Sequence, residues 1–257
     1  MRPLPVVFAC ALAVGCSGGG TNQTPSGRVR VMNLYAIGDG GVGPTLDIYP
    51  SLENVFDNSP QPSGAKPLIA GLAFGQVSDY VTVFARPGNQ GQLSYYRAGT
   101  RDAAGCLFGC TPPSGFKAGD QATVIVDSMK DSRDVVGAGF LTSYEHGSTE
   151  MPAPDAGLGM IIGMSAAATW TVTFVEWSTG GTCLRNSIDS QTFNGGVGFE
   201  LAPGTIQLQA WETATFTCTT THLAGPTAVT VAAGARQYAI VYGSSKTDMR
   251  ILAVPIP

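Results

Sequence analysis

Charge is scarce in this chain. Only 12% of its 257 residues are Asp, Glu, Lys or Arg, and the net charge is −4. The 14 Lys and Arg are scattered and form no basic stripe, which argues against nucleic acid as a partner. Histidine occurs twice, as His146 and His222, with no second histidine at metal-binding spacing; a zincin centre is excluded. No nucleophile elbow follows the first 27 residues, and Gly243-Ser244-Ser245-Lys246 has the wrong spacing for a Ser-x-x-Lys nucleophile. Amphipathic helical patterns are missing too. What is abundant is apolar residues, at 44%, with 34 Gly and 17 Pro. That combination can build cores and many turns, so it predicts exported β-structure rather than disorder.

The first residues give an address. Met1-Arg2-Pro3 is followed by an uncharged apolar run from Leu4 to Gly15, the two parts of a secretory signal. The run is shorter than the roughly 20 residues that span a bilayer. Leu12-Ala13-Val14-Gly15-Cys16 resembles the bacterial lipobox, with Ala13 where Leu is commoner. The resemblance implies diacylglyceryl transfer to the Cys16 thiol, cleavage before Cys16 and acylation of the new amine. Several buried chains anchor stably where one does not. Residues 1–15 are thus expected to be a signal peptide and 16–27 the lipidated cysteine with a Gly/Ser-rich flexible tether. Ser17 after the cysteine, rather than Asp, fits sorting to the outer membrane in the lipoprotein pattern. Cys10 lies inside the signal and has no role.

Four cysteines remain: Cys106, Cys110, Cys183 and Cys218. An even number in an exported chain predicts disulfides. The pairing Cys106–Cys110 with Cys183–Cys218 keeps each bridge within one domain, although four cysteines allow three pairings. The spacing lacks the paired short intervals of zinc ribbons, so no metal site and no cofactor is expected.

Short alternating runs fill the rest. Ile206-Gln207-Leu208-Gln209-Ala210, Thr169 to Phe174 and Leu93-Ser94-Tyr95 read as half-buried strands. Ala122-Thr123-Val124-Ile125-Val126 is more evenly apolar, as a central strand would be. Gly157 to Val175 carries no charge but is broken by Gly159, Gly163 and Ser165; it reads as two strands around a turn, not a membrane span.

The chain also repeats. Val81 to Gly88 parallels Val197 to Gly204 at a shift of 116, and Ala118-Gly119 with Gln121 to Val126 parallels Ala233-Gly234 with Gln237 to Val241 at a shift of 115. Thr45 to Tyr49 matches Thr171 to Val175 at a shift of 126, which places an insertion near Phe56 to Gly64. A period this long means tandem domains, not a solenoid. The predicted fold is all-β: two tandem immunoglobulin-like sandwiches, each about the size of that fold. They should occupy residues 28–145 and 158–257, joined by a polar, Pro-rich linker at 146–157.

The first unit carries a family pattern: Arg28-Val29-Arg30-Val31-Met32-Asn33, Leu46-Asp47-Ile48-Tyr49, Leu72 to Tyr80 with Gly75-Gln76-Val77-Ser78, Pro87-Gly88 and Ala98-Gly99. It resembles the bacterial and archaeal envelope domain known as domain of unknown function 4397, over about residues 28–140. The second unit keeps the strand pattern and Pro203-Gly204 but lacks the Asn33, Asp47 and Gly75-x-x-Ser78 equivalents. The resemblance implies a β-sandwich, often in tandem, on exported or anchored proteins, with no known reaction. The whole arrangement is similar to surface lipoproteins common in myxobacteria.

The remaining candidates are few. Asp127 to Asp134 is the densest charge cluster, but Lys130 and Arg133 offset its carboxylates; it reads as a solvated turn. His146 and His222 read as exposed loop residues. Asp47, a lone strand carboxylate, is expected to hydrogen-bond a neighbouring loop near Arg28 or Arg30. Alternation with Ile206, Leu208 and Ala210 places Trp211 on an outer face, where with tyrosines such as Tyr95 or Tyr96 it could stack on a glycan or an envelope protein. These features together predict a lipid-anchored envelope protein without catalytic activity, held at the outer membrane. The alternative from another class is a periplasmic hydrolase or carbohydrate-active enzyme. It requires Asp47, Asp79 and Asp127, or Glu200 and Glu212, to converge in one concave pocket. A soluble adhesion or matrix component is the third reading, with Cys16 unmodified.

Overall fold

Alternating apolar residues broken by turn formers favour strands, and strands are what form. The computed structural model describes residues 24–37, 41–51, 64–85, 90–101, 107, 115–130, 136–147, 151–166, 172–178, 181–190, 197–213, 217 and 222–257. Among them there is no α-helix.

The first half contributes β1 (Thr24–Asn33), β2 (Ala36–Ile37), β3 (Gly41–Val42), β4 (Leu46–Ser51), β5 (Ile69–Leu72), β6 (Gln76–Val77), β7 (Val81–Ala85), β8 (Gln92–Arg97), β9 (Asp120–Lys130) and β10 (Val136–His146). One sheet runs β10–β9–β1, with β6 and β7 both pairing on the far side of β1. The β1–β9 pair is parallel and its neighbours are antiparallel. A second sheet, β5–β4–β8, covers one face of the first. Between them lies a core that includes Val29, Val31, Leu46, Ile48, Val83, Leu93, Tyr95, Val124 and Val126. As the sequence predicts, β9 is central and buried from Ala122 to Asp127.

The second half contributes β11 (Gly159–Ser165), β12 (Val172–Trp177), β13 (Cys183–Ser190), β14 (Val197–Leu201), β15 (Gly204–Glu212), β16 (Ala224–Val231), β17 (Arg236–Tyr242) and β18 (Arg250–Ile256). Its sheets are β14–β11–β17–β18 and β13–β12–β15–β16, closed over Ile161, Phe174, Leu208, Val229 and Val241 among others. The uncharged stretch from Gly157 to Val175 does hold two strands, β11 and β12, and they lie in opposite sheets.

The repeat is carried by topology. The strand β1 pairs antiparallel with β7 and parallel with β9, and β9 pairs antiparallel with β10; β11 does the same with β14, β17 and β18. The matching Ala-Gly pairs both open the parallel partner. Gly119 and Gly234 sit at φ of 89° and 72°, a conformation that side chains resist and glycine accepts. Pro87-Gly88 and the insertion from Phe56 to Ser63 lie outside the described residues.

Two boundaries differ from expectation. The first strand begins at Thr24, inside the segment assigned to the tether: Thr24 and Pro25 pair with Ala85 and Phe84, and the register then shifts before Gly27. Pairing with β7, joined by β9 from Gly27 onward, overrides the poor strand propensity of Pro25-Ser26-Gly27. At the other end, His146 pairs with Gln121 and belongs to β10, not to the linker.

The two sandwiches are not separate beads. The outer face of the β10–β9–β1 sheet meets the outer face of the β14–β11–β17–β18 sheet. Met32, Leu34 and Ile125 from the first unit join Met160, Ile162, Met164, Tyr238, Ile240, Tyr242, Val254 and Ile256 from the second in one buried cluster. The Tyr238 hydroxyl is 2.8 Å from Ser143 Oγ, Phe74 packs against Tyr242 with ring centroids 5.5 Å apart, and Arg236 donates to the Met151 carbonyl. Both sheets therefore bury apolar residues on both faces. Thermal unfolding should show one cooperative transition. Ile240→Ala, which removes a fully buried side chain from the shared face, should cost about 2–5 kcal/mol and lower the whole transition. Two separate transitions, with only one displaced, would contradict the shared core.

Candidate functional site

Along the outer face of the first sheet, side chains alternate with the core-facing ones, so Arg28, Arg30 and Met32 of β1 stand beside Gln121, Thr123 and Ile125 of β9, with Leu34 just past the end of β1. The part of this face under the second sandwich is apolar at one end and polar at the other. The polar part centres on Glu145, which has no exposed surface. Its carboxylate accepts from Arg30 Nη2 at 3.1 Å, Thr123 Oγ1 at 2.5 Å and Gln121 Nε2 at 3.3 Å, and from the Tyr80 hydroxyl. Arg30 also donates from Nε to Thr123 Oγ1 at 2.8 Å. Its guanidinium lies 4.9 Å from the centre of the Tyr80 ring and 5.9 Å from that of Tyr238. Burial, then the hydrogen bond to Glu145, push the Tyr80 hydroxyl well above its ordinary pKa.

Beyond the edge of the second sandwich the same face is open. Here Ser26, Gly27, Arg28, Thr82, Gly119, Asp120, Gln121 and His146 line a cleft of about 370 Å³. Arg28 is exposed, lies 5.4 Å from the centre of the Tyr80 ring, and has no carboxylate partner among the described residues. Asp120 is buried at the floor, where Oδ2 accepts the Lys117 amide at 2.7 Å. Two residues along β7 from Thr82, Phe84 projects from the same face and is 40% exposed, whereas Val83 between them is fully buried. The cleft therefore combines an exposed cation, a buried carboxylate and hydrogen-bonding side chains, all on strands.

The family-pattern residues of the first unit have structural work to do. Asn33 Nδ2 donates to the carbonyls of Pro44 and Leu72, both at 2.9 Å. Gly75, at φ 79°, lets its amide reach the Asn33 carbonyl at 2.7 Å. Ser78 Oγ accepts the Val31 amide where β6 gives way to β7. Asp47 accepts the Gly71 amide at 2.8 Å and the Gly99 amide at 2.9 Å. The expected structural bond of Asp47 is present, but it fastens two glycine turns and not the Arg28 and Arg30 neighbourhood. Asp47→Ala should cost about 1–3 kcal/mol, read as a lower denaturation midpoint; a change below about 0.3 kcal/mol would make both bonds incidental.

The aromatic candidate needs correcting. Trp211 is 1% exposed. Alternation does put it on the face opposite Leu208 and Ala210, but that face is covered: Trp177 lies at 5.4 Å and His222 edge-on at 5.9 Å between ring centres. Tyr95 and Tyr96 are fully buried as well. His222 is exposed as expected, whereas His146 is half-buried in the cleft wall. Asp127 is not in a solvated turn; it lies in β9 and is 1% exposed. Ser128, Met129 and Lys130 continue β9, and Asp131 to Asp134 lie outside the described residues. The polar turn around Ser244 to Asp248 is held by Ser244 to Asp248, Arg250 to Asp248 and Lys246 to Glu212 bonds, and the bond from Arg250 leads in holding Asp248 below its ordinary pKa.

Of the cysteines, Cys183 opens β13 opposite Trp177. Cys16, Cys106, Cys110 and Cys218 lie outside the described residues. Two Ser-x-x-Lys spacings escape the motif reading, Ser63 to Lys66 and Ser114 to Lys117; both serines are outside the described residues, and both lysines are exposed. Of the carboxylates in the hydrolase reading, Asp47, Asp127, Glu200 and Glu212 lie at separate places. Asp47 is tied to Gly71 and Gly99, Asp127 is buried on the outer face of the first sheet, Glu200 accepts the Asp155 amide, and Glu212 pairs with Lys246. No group of three metal-ligating side chains is found among the described residues.

The cleft and the Glu145 network escape sequence reasoning because their members come from β1, β7, β9 and β10. Arg30 and Glu145 are 115 residues apart. The one local signal is Phe84, which alternation in Val81-Thr82-Val83-Phe84 places on the outer face. No family model matches the chain, and no curated protein matches it.

Proposed function

We propose that the chain is a lipid-anchored envelope protein, fixed at the outer membrane through Cys16, whose paired sandwiches act by binding rather than by catalysis. The single observation that carries the binding reading is the open end of the first sheet, where Arg28, Thr82, Gln121 and His146 line a cleft at the beginning of β1. Catalysis finds little support there. The buried carboxylate of the cleft, Asp120, accepts the Lys117 amide, and Glu145 behind it already accepts four hydrogen bonds. Only residues 17–23 separate Cys16 from Thr24, a reach of at most about 25–30 Å. On this reading the tether is short and the cleft lies near the anchored end. The resemblance of the first unit to the envelope domain of unknown function, and the reading of both units as immunoglobulin-like, belong to the same proposal. So does the pairing of Cys106 with Cys110 and Cys183 with Cys218, which peptide mapping without reduction would read directly.

Fractionation of cells carrying wild type or Cys16→Ser tests the anchor. Wild type should remain with the membranes and Cys16→Ser should appear in the soluble fraction. Retention of the variant in membranes, or release of wild type into the medium, would overturn the reading. Protease treatment of intact cells then reports which side of the outer membrane the sandwiches occupy.

A further inference from the structure

We infer that the open end of the first sheet rests on the bilayer that holds Cys16, with Phe84 seated among the lipids and Arg28 and Lys117 on anionic phospholipid headgroups; this rests on the anchor proposed above and names the partner of that end. Thr24 pairs with Ala85 and Pro25 with Phe84. Phe84 therefore sits one residue into β1, on the side where the chain leads back to Cys16. Residues 17–23 span at most about 25–30 Å, so the start of β1 cannot stand far from the membrane. Asn33 lies at the opposite end of that strand, about 30 Å away at the usual rise.

Among the described residues the exposed large apolar side chains are Phe84, Ile37 and Val42. Ile37 and Val42 belong to β2 and β3, beyond the far end of β1; Phe84 lies at the anchored end. It shares the outer face with Thr82, which pairs with Arg28, while Val83 between them is in the core. At this end of β1, β7 and β9, and in the turn that leads into β9, the exposed charges are Arg28 and Lys117, although the whole chain carries −4. The carboxylates beside them are buried and bonded: Asp120 accepts the Lys117 amide, and Glu145 pairs with Arg30. The two cations are close along the backbone. A Cβ at Gly27 would come within 3.3 Å of the Lys117 carbonyl, and Arg28 is the next residue. Cations near an anionic bilayer are drawn to it over about a Debye length. One ring and two cations hold a free protein only weakly. A tether changes that, because docking becomes intramolecular and runs at a high effective concentration.

The test uses the full chain purified from membranes with Cys16 intact and reconstituted into vesicles of phosphatidylethanolamine and phosphatidylglycerol. Phe84→Trp and Ile37→Trp each place an indole at an already exposed apolar site, one at either end of β1. Lipids brominated on their acyl chains should quench the emission that Phe84→Trp adds over wild type by about a third or more, and that of Ile37→Trp by less than about a tenth. On the unaltered chain, a water-soluble amine reagent should modify Lys117 at least about threefold more slowly on these vesicles than in the soluble Cys16→Ser chain. Lys246, on the second sandwich, should react at the same rate in both. High salt, or vesicles of neutral phosphatidylcholine, should remove most of the Lys117 protection; undiminished protection there overturns the part given to the cations. Vesicles that carry the chain but neither quench Phe84→Trp nor protect Lys117 overturn the inference and leave the anchor standing. Quenching of Ile37→Trp equal to or above that of Phe84→Trp overturns it too. Wild type that fails to float with the vesicles counts against the anchor itself and takes the inference with it. The lysine readout needs no substitution at the surface tested, so it decides even if a variant fails to fold.

Discussion

Glu145→Gln lowers the stability of the folded chain by about 3–5 kcal/mol, a large part of the roughly 5–15 kcal/mol that holds most domains. The carboxylate is fully buried and every group around it is a donor: Arg30, Thr123, Tyr80 and Gln121. An amide presents an N–H₂ to two of those donors and leaves the 6%-exposed Arg30 without a counter-charge. Removing one member of a buried pair costs more than the pair contributes, because the survivor keeps its desolvation penalty. Arg30→Met combined with Glu145→Leu should therefore recover most of the loss. Urea midpoints of the two single variants and the double variant measure the coupling. A cost for Glu145→Gln below about 1 kcal/mol would mean that water replaces the carboxylate and that the site is not dry.

Asp127→Asn is expected to do the opposite and stabilise the chain at neutral and alkaline pH. Burial pushes the Asp127 carboxyl up from 3.8 to about 8, against a smaller opposing hydrogen bond from its own backbone. Its Oδ1 is buried with no hydrogen-bond partner among the described residues. In the unfolded chain the group loses its proton near pH 4; in the folded chain it holds the proton to about pH 8. Between those limits the folded state binds more protons, so stability falls as pH rises. Each pH unit of that span is worth about 1.4 kcal/mol, and the whole slope amounts to several kcal/mol. Asparagine mimics the neutral acid and has no such slope. The variant and wild type should match near pH 4 and diverge toward pH 8, with the variant ahead. Parallel curves for the two proteins would show that Asp127 is ionised and paired in the folded state.

Much of the architecture is legible in the sequence because it is written locally. The alternating runs, the β-branched stretch of β9 and the Ala-Gly turns before β9 and β17 each rest on a few adjacent residues. The repeat is legible because its two copies keep those local signals at a nearly constant shift. Cover is not local. Alternation assigns Trp211 to the correct side of β15 but says nothing of Trp177 and His222, which close that side off. The same holds for Tyr238 and Ile240, whose outward face is apolar because another sandwich lies on it. Polar composition misleads at His146, which is expected in the linker yet pairs with Gln121 as part of β10. Residues 24–27 mislead in the same way, since it is pairing with the distant β7 that makes them a strand.

The parallel pairing of β1 with β9, and of β11 with β17, also sets a timetable. During synthesis β1 meets β9 only after some ninety residues have followed it, and until then its central position in the sheet is half empty. Closing such distant pairs is slow, because the loop entropy is lost before the contacts form. The second sandwich repeats the delay, and the shared face cannot close until Val254 and Ile256 at the far end have arrived. A truncation of β18 should therefore leave a long-lived, sticky intermediate rather than a slightly weakened product.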